Sequence, residues 1–242
     1  MSNLPKTAIV TGASQGIGAG VVRMFVERGY NVVANSRKMT SSTEIAASDR
    51  VALVDGDIAE PATAARIVET ALARFKSIDA LVNNAGVIID KPFTDYSAGD
   101  IKLLVSTNVN GFIYLTQLTI KQMLRQKSGG SIVTITAALA RNPLRVTTAS
   151  IPMLTKGGLE TITQHLAMEY AQTGIRVNAV APGVVETPLQ RGTPKGVLAA
   201  RSPMGRPSTV SEIADAVLYL TTAETVTGHI LYVDGGAHFG CW

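Results

Sequence analysis

Three glycines, Gly12, Gly16 and Gly18, follow directly on a short apolar run (Ala8, Ile9, Val10) that ends in Thr11. Beyond them Ile17, Val21, Val22, Phe25 and Val26 recur at helical spacing up to Gly29. The pattern is a buried strand that turns sharply into an amphipathic helix. Glycine in such a turn lets the backbone approach a pyrophosphate, and the helix start offers free N–H groups and a partial positive charge. Many tight turns contain glycine triplets; the place of this one, between a strand and a helix, gives it weight as a nucleotide site.

Other chemistry-bearing residues stand where later strands end. The second strand runs into Asn35-Ser36-Arg37-Lys38, with no acidic residue. A carboxylate there would accept hydrogen bonds from a ribose 2′-hydroxyl, whereas Arg37 beside Ser36 would attract a 2′-phosphate. The expected ligand is therefore NADPH, with NADH disfavoured. Asp57-Ile58 follows the third strand, where the carboxylate could meet adenine or simply shape a turn. Asn83-Asn84-Ala85-Gly86, Asn108, Lys156 and Pro182-Gly183-Val184-Val185-Glu186-Thr187 come next in order.

These residues need a scaffold, and the chain supplies one. Strand patterns at Ala8–Val10, Asn31–Ala34, Arg50–Val54, Asp79–Val82, Ser131–Ile135, Ile175–Val180 and Ile230–Val233 alternate with helical ones. The helices are expected from the glycine turn to Gly29, from Pro61 to Phe75, Ser97 to Gln126, Ser150 to Ala171, and Thr209 to Leu220. Thr209 and Glu212 have capping-box spacing. Repeated strand–helix–strand units predict an α/β fold: a doubly wound, Rossmann-type parallel sheet of about seven strands with helices on both faces. One domain over 1–242 is expected. Gly192–Pro207 is a long irregular stretch, so a lid or substrate loop is expected at about 187–208.

With 242 residues and 46% hydrophobic content, the chain can bury a substantial core. Only 17% of residues are charged, which suggests surface buried in an oligomer. The net charge of +4 comes without a Lys/Arg run or aromatic RNA-binding signature, so nucleic acid is not expected. The one cysteine, Cys241, rules out an intrachain disulfide and a thiolate metal cluster, and no metal is expected. MSNLPK lacks a signal peptide's apolar core and no run would span a bilayer, so the expectation is cytoplasmic, with no membrane partner.

The ordered set TGASQGIG, NNAG at Asn83–Gly86, Asn108, TKGGLE around Lys156, Ile175-Arg176-Val177-Asn178, PGVVET and Val233-Asp234-Gly235-Gly236 resembles the short-chain dehydrogenase/reductase family over nearly the whole chain. The resemblance implies an NAD(P)H-binding oxidoreductase acting on a small molecule, usually dimeric or tetrameric through its long helices. It implies that Gly12, Ser14, Gln15, Gly16, Ile17 and Gly18 hold pyrophosphate and adenosine ribose. Asn84, Ala85 and Gly86 would line the nicotinamide side, with Pro182 and Gly183 in the turn below. Val185 and Thr187 would hold the carboxamide, and Lys156 the nicotinamide ribose.

The family pattern also places a proton-donating tyrosine four residues before the lysine and a serine after the fifth strand. Here those slots read Pro152 and, in Ile135-Thr136-Ala137-Ala138, alanine; no tyrosine occurs between Tyr114 and Tyr170. Asn108 and Lys156 are the catalytic residues retained. Losing a general acid costs about 10²- to 10⁴-fold in rate, while proximity is kept. Three readings stand. A reductase would draw its proton from a water held by Lys156 and Asn108, or from Thr136, Thr147, Thr148 or Ser150. A reductase of iminium carbons needs no such proton. A nucleotide-binding or scaffolding protein would have lost turnover. Arg141 and Arg145 would flank the substrate pocket, Asp95 and Tyr96 could overhang it, and Ser150 would cap its helix. His165 would be a surface or packing residue. Phe239, Cys241 and Trp242 would dock on a partner subunit.

Overall fold

The computed structural model describes residues 5–144 and 147–240. Seven parallel strands form one sheet in the order β3-β2-β1-β4-β5-β6-β7. They are β1 (Thr7–Thr11), β2 (Asn31–Ser36), β3 (Val51–Asp55), β4 (Ala80–Asn83), β5 (Gly130–Ile135), β6 (Ile175–Pro182) and β7 (Ile230–Val233). The connecting helices are α1 (Gly16–Glu27), α2 (Pro61–Phe75), α3 (Ala98–Val105), α4 (Gly111–Gln126), α5 (Ser150–Tyr170), α6 (Lys195–Ala199) and α7 (Val210–Thr222). The expected doubly wound α/β architecture is what the chain adopts.

Alternation along the strands builds two cores, because successive side chains point to opposite faces. Val10, Val82, Val133 and Val180 pack with Phe25 of α1 and Ile213 and Val217 of α7. Ile9, Leu81, Ile132 and Val177 face the other way, onto Ile67 of α2, Leu115 and Met123 of α4 and Ala167 of α5. Both faces being covered, the strands read as continuous apolar runs rather than alternating ones. The chain leaves β1 toward β2 and β3, then returns to β4 on the other side. The crevice beyond β1 and β4 is thus the switch point of the sheet, where ligands bind in open α/β folds.

Local chemistry fixes the helix ends. Pro61 opens α2, where its missing N–H costs nothing. The Thr209–Glu212 capping box opens α7 as expected, and Ser97 with Asp100 forms a second one at α3. The far end of α7 is closed by Arg176 of β6, whose guanidinium donates to the carbonyls of Leu220 (2.6 Å) and Thr221 (2.5 Å).

Three expectations need correction. The helix read from Ser97 to Gln126 is interrupted by a π-helical turn over Ser106–Asn110, between α3 and α4. The wider turn carries Asn108 inward, a displacement that a hydrophobic repeat does not encode. Ser150 is not a cap: Ala149 takes that position without a side-chain bond, and Ser150 is the first helical residue. The stretch Gly192–Pro207 is not wholly irregular, since α6 lies within it.

Candidate active site

The glycine turn is built against the end of β4. Gly12 has φ +63°, and a Cβ there would stand 2.8 Å from Asn84 Nδ2 and 2.9 Å from Ala85 Cα. Asn84 Nδ2 donates to the carbonyls of Thr11 (2.9 Å) and Gly12 (3.1 Å), while Thr11 Oγ1 accepts from the N–H groups of Asn84 and Ala85. One asparagine and one threonine therefore fasten the two loops of the switch point together. Helix α1 starts at Gln15 with no side-chain cap and no acid in its first turn. Its free N–H groups are left for an external anion to complete.

A cavity of about 500 Å³ extends from this turn along the carboxyl ends of the strands. Ser14, Gln15, Gly16 and Ile17 border it with Gly12 in the middle; Ser36, Arg37, Asp57 and Ile58 border one end; Asn84, Ala85, Gly86 and Lys156 border the other. Pro182, Gly183, Val185 and Thr187 close the inner side. Gly18 does not border it; a Cβ there would lie 2.3 Å from the Gly12 oxygen, so the turn leaves no room for a side chain at this position. Asn108 also stays off this cavity. Residues missed in the sequence include Ile88, Leu103 and Leu189, whose apolar character looks like core, and Asn35. Asn35 Nδ2 donates to the carbonyls of Val54 (3.0 Å) and Gly56 (3.2 Å), tying β2 to the end of β3.

Two observations make the cavity fit a phosphorylated dinucleotide. The uncapped start of α1 borders its middle. At the Arg37 end, Ser36 Oγ is buried without a hydrogen-bond partner, and a buried hydroxyl without a partner is costly unless a ligand completes it. Asp57 Oδ1 accepts the Ala59 N–H at 2.9 Å, so its carboxylate shapes the turn while bordering the cavity.

At the opposite end Lys156 is buried, and its Nζ donates to the Ile135 carbonyl at 2.7 Å. Burial depresses its pKa to about 8. Asn108 is equally buried; its Oδ1 accepts the Val87 N–H (2.8 Å), and its Nδ2 donates to the Val87 carbonyl (3.0 Å) and Thr155 Oγ1 (2.9 Å). Pro152 is buried in the first turn of α5, where its lack of an N–H is tolerated. Thr136 Oγ1 lies 3.0 Å from Glu160 Oε1 and 3.3 Å from the Val180 carbonyl, so that hydroxyl is already engaged. Burial raises the pKa of Glu160.

The remaining residues fall outside the cavity. Tyr96 donates to the Ile89 carbonyl at 2.6 Å, and Thr148 is held by Asp90 through its N–H and its hydroxyl. Arg141 follows the short turn Ala138–Ala140 and does not border the cavity, and His165 is exposed on α5. Phe239 is exposed; Arg145, Cys241 and Trp242 lie outside the described residues. No group of three or more metal-ligating side chains occurs among the described residues, and no helix there is long and apolar enough to cross a membrane.

A Rossmann-type sheet with a glycine turn and a cavity at its switch point defines a dinucleotide-binding α/β protein. The family model described as enoyl-(acyl carrier protein) reductase matches residues 12–238. A tropinone reductase homolog of Arabidopsis thaliana is 36% identical over 244 residues, covering 95% of this chain and 92% of its own. Cis-4-hydroxycyclohexanecarboxylate dehydrogenase of Sinomonas cyclohexanicum is 34% identical, covering 96% of each. Among solved structures, a 3-ketoacyl-(acyl-carrier-protein) reductase from Brucella melitensis, complexed with NADH, superposes with a TM-score of 0.90 at 30% identity, over 98% of this chain and 100% of that one. ElxO with NADP bound gives a TM-score of 0.87 at 25% identity, over 97% and 99%. The chain belongs to the short-chain dehydrogenase/reductase family of oxidoreductases.

Proposed function

We propose that the protein is an NADPH-dependent reductase that directs hydride to the carbonyl or imine carbon of a small substrate, without a tyrosine as proton donor. The observation that carries this reading is the single cavity joining a phosphate-seeking end, Ser36 and Arg37, to a buried ammonium, Lys156. When bound there, the nicotinamide supplies the hydride. The chain's own residues do the rest. The start of α1 and Arg37 neutralise phosphate charge, Gly86 leaves room beside Lys156, and Val185 and Thr187 wall the inner face. Asn108 holds the Val87 backbone and the second turn of α5 in register. The segment 187–208, with Leu189 exposed beside the cavity mouth, acts as the lid of a single domain.

A panel of ketones, activated alkenes and cyclic imines tests this directly. NADPH consumption with at least one class is expected; tight NADPH binding with no turnover on any of them would favour the second reading, a binding protein. That alternative draws on Pro152 and on Ala137 and Ala138, the slots where the family resemblance would place the acid and the serine. Exposed Leu154 and Met168 on α5 and Leu124 on α4 favour a homo-oligomer, to be read by light scattering.

A further inference from the structure

Beside the large cavity lies a small chamber of about 10 Å³ between β4, β5, α4 and α5. That is about the volume one water needs, and the lining is polar enough to hold it. Asn83, Thr107, Asn108 and Thr134 are polar residues of its lining, as is Thr11, whose hydroxyl already serves the Asn84 and Ala85 N–H groups. Thr134 is 1% exposed and its Oγ1 has no hydrogen-bond partner. A buried hydroxyl in that state, bordering a water-sized polar space, points to an occupant.

Lys156 borders both spaces. Its ammonium has three donors, of which the Ile135 carbonyl takes one among the described residues. Arg37 and Asp57, the other titratable side chains on the large cavity, sit at its far end. Glu160, one turn along α5, is turned to Thr136. No carboxylate of the described residues is paired with Lys156. Lys156 is thus the proton-bearing group at the end of the cavity where the substrate would stand.

We propose that Lys156 Nζ is itself the acid of the reduction, and that a water seated on Thr134 in the chamber solvates the ammonium so that it stays charged and aimed. The proposal rests on the reductase reading. As hydride reaches a carbonyl carbon, the C=O π bond breaks and its electron pair takes a proton from Nζ. The N–H bond breaks, leaving a neutral amine and an alcohol. The amine regains a proton from solvent once product leaves. Thr134 is a positioning residue in this scheme, acting through the water.

The test compares a ketone with an N-methylated cyclic iminium, which accepts hydride without needing a proton, and adds a readout independent of turnover. In carbon-13-lysine-labelled protein without cofactor, the Lys156 ε-carbon resonance, assigned by its loss in Lys156→Met, should titrate near pH 8. Thr134→Val should move that midpoint downward. At saturating NADPH, wild-type ketone reduction should fall with rising pH through the same midpoint while iminium reduction stays flat. Lys156→Met should lose about 10²-fold or more with the ketone and under tenfold with the iminium. A midpoint in the ordinary lysine range, or equal losses on both substrates, overturns the role of Lys156 and leaves the reductase reading standing. Bound NADPH with neither substrate reduced by wild-type protein overturns both.

Discussion

Asn108 Nδ2 and Thr155 Oγ1 are hydrogen-bonded at 2.9 Å, joining the π-helical turn to the first turns of α5. Thr155 Oγ1 in turn donates to the Pro152 carbonyl at 2.7 Å. One hydroxyl therefore links the residue before Lys156 to the residue four before it. Thr155→Val leaves a buried amide donor unanswered and is expected to cost about 1–3 kcal/mol, read from urea unfolding midpoints. A change below a few tenths would mean that the bond is dispensable.

Arg37→Ala removes the cation expected at the 2′-phosphate. NADPH affinity should fall roughly 10- to 100-fold, as for losing one charge-assisted bond of about 1.5–3 kcal/mol. NADH affinity should be unchanged, since it lacks that group. Calorimetric titration with both dinucleotides checks the pair, and an equal fall in both would detach Arg37 from the phosphate.

Pro152→Tyr places a phenol one turn before Lys156, on the same helix face. If cavity and lysine are already arranged for carbonyl reduction, ketone turnover should rise by about 10²-fold, the usual yield of a positioned acid. Iminium reduction should change little. Initial rates of NADPH consumption on the two substrates measure this, and no gain on the ketone contradicts the assumed arrangement.

Gly18 and Gly157 form an internal contrast. Alanine at Gly18 would press on the Gly12 oxygen at 2.3 Å, a backbone atom that cannot step aside, at an expected cost of about 1–3 kcal/mol together with weakened dinucleotide binding. Gly157 lies inside α5 with nothing within 4 Å of a new Cβ, so Gly157→Ala should stabilise by about 0.5–1 kcal/mol. Thermal unfolding of the two variants should move in opposite directions.

Lys156 also sets a pH dependence of stability. Its pKa falls from 10.5 unfolded to about 8 folded, so below pH 8 both states carry the proton and the folded state bears the cost of a buried charge. Between pH 8 and 10.5 the unfolded chain binds more protons, and stability rises through that window. The gain is about 3 kcal/mol. Tyr30 and Tyr232, raised by burial, act in the opposite direction at higher pH, so the difference between wild type and Lys156→Met isolates the effect.

Much of this architecture was legible because its signals are local. The glycine turn, the Thr209–Glu212 box, Pro61 and the apolar strand runs each act within a few residues. Strand ends differ by one or two positions, as at Asp79–Val82 against Ala80–Asn83, because a ladder ends where its neighbour ends. Of the residues read from strand ends, Arg37 and Asn84 border the cavity, and Lys156 reaches it from within α5. What the linear chain concealed depends on distance in space. Asn108 is bonded to residues 21 and 47 positions away, and Thr134 has significance only through the chamber it borders. Gly18 reads as a ligand glycine in the sequence, and its close packing against Gly12 shows only in space.

The five-residue π turn has one more consequence. A turn closed i→i+5 winds about as far in five residues as an α turn does in four, so a chain shortened by a single residue within 106–110 could run straight from α3 into α4 with their faces nearly in register. The shortened version would keep Leu104 enclosed but would remove the wide turn that carries Asn108 inward. A deletion there should therefore break the Asn108 bonds to Val87 and Thr155 at little cost to the core, while the same length change in the loop around Gly192 should leave those bonds intact.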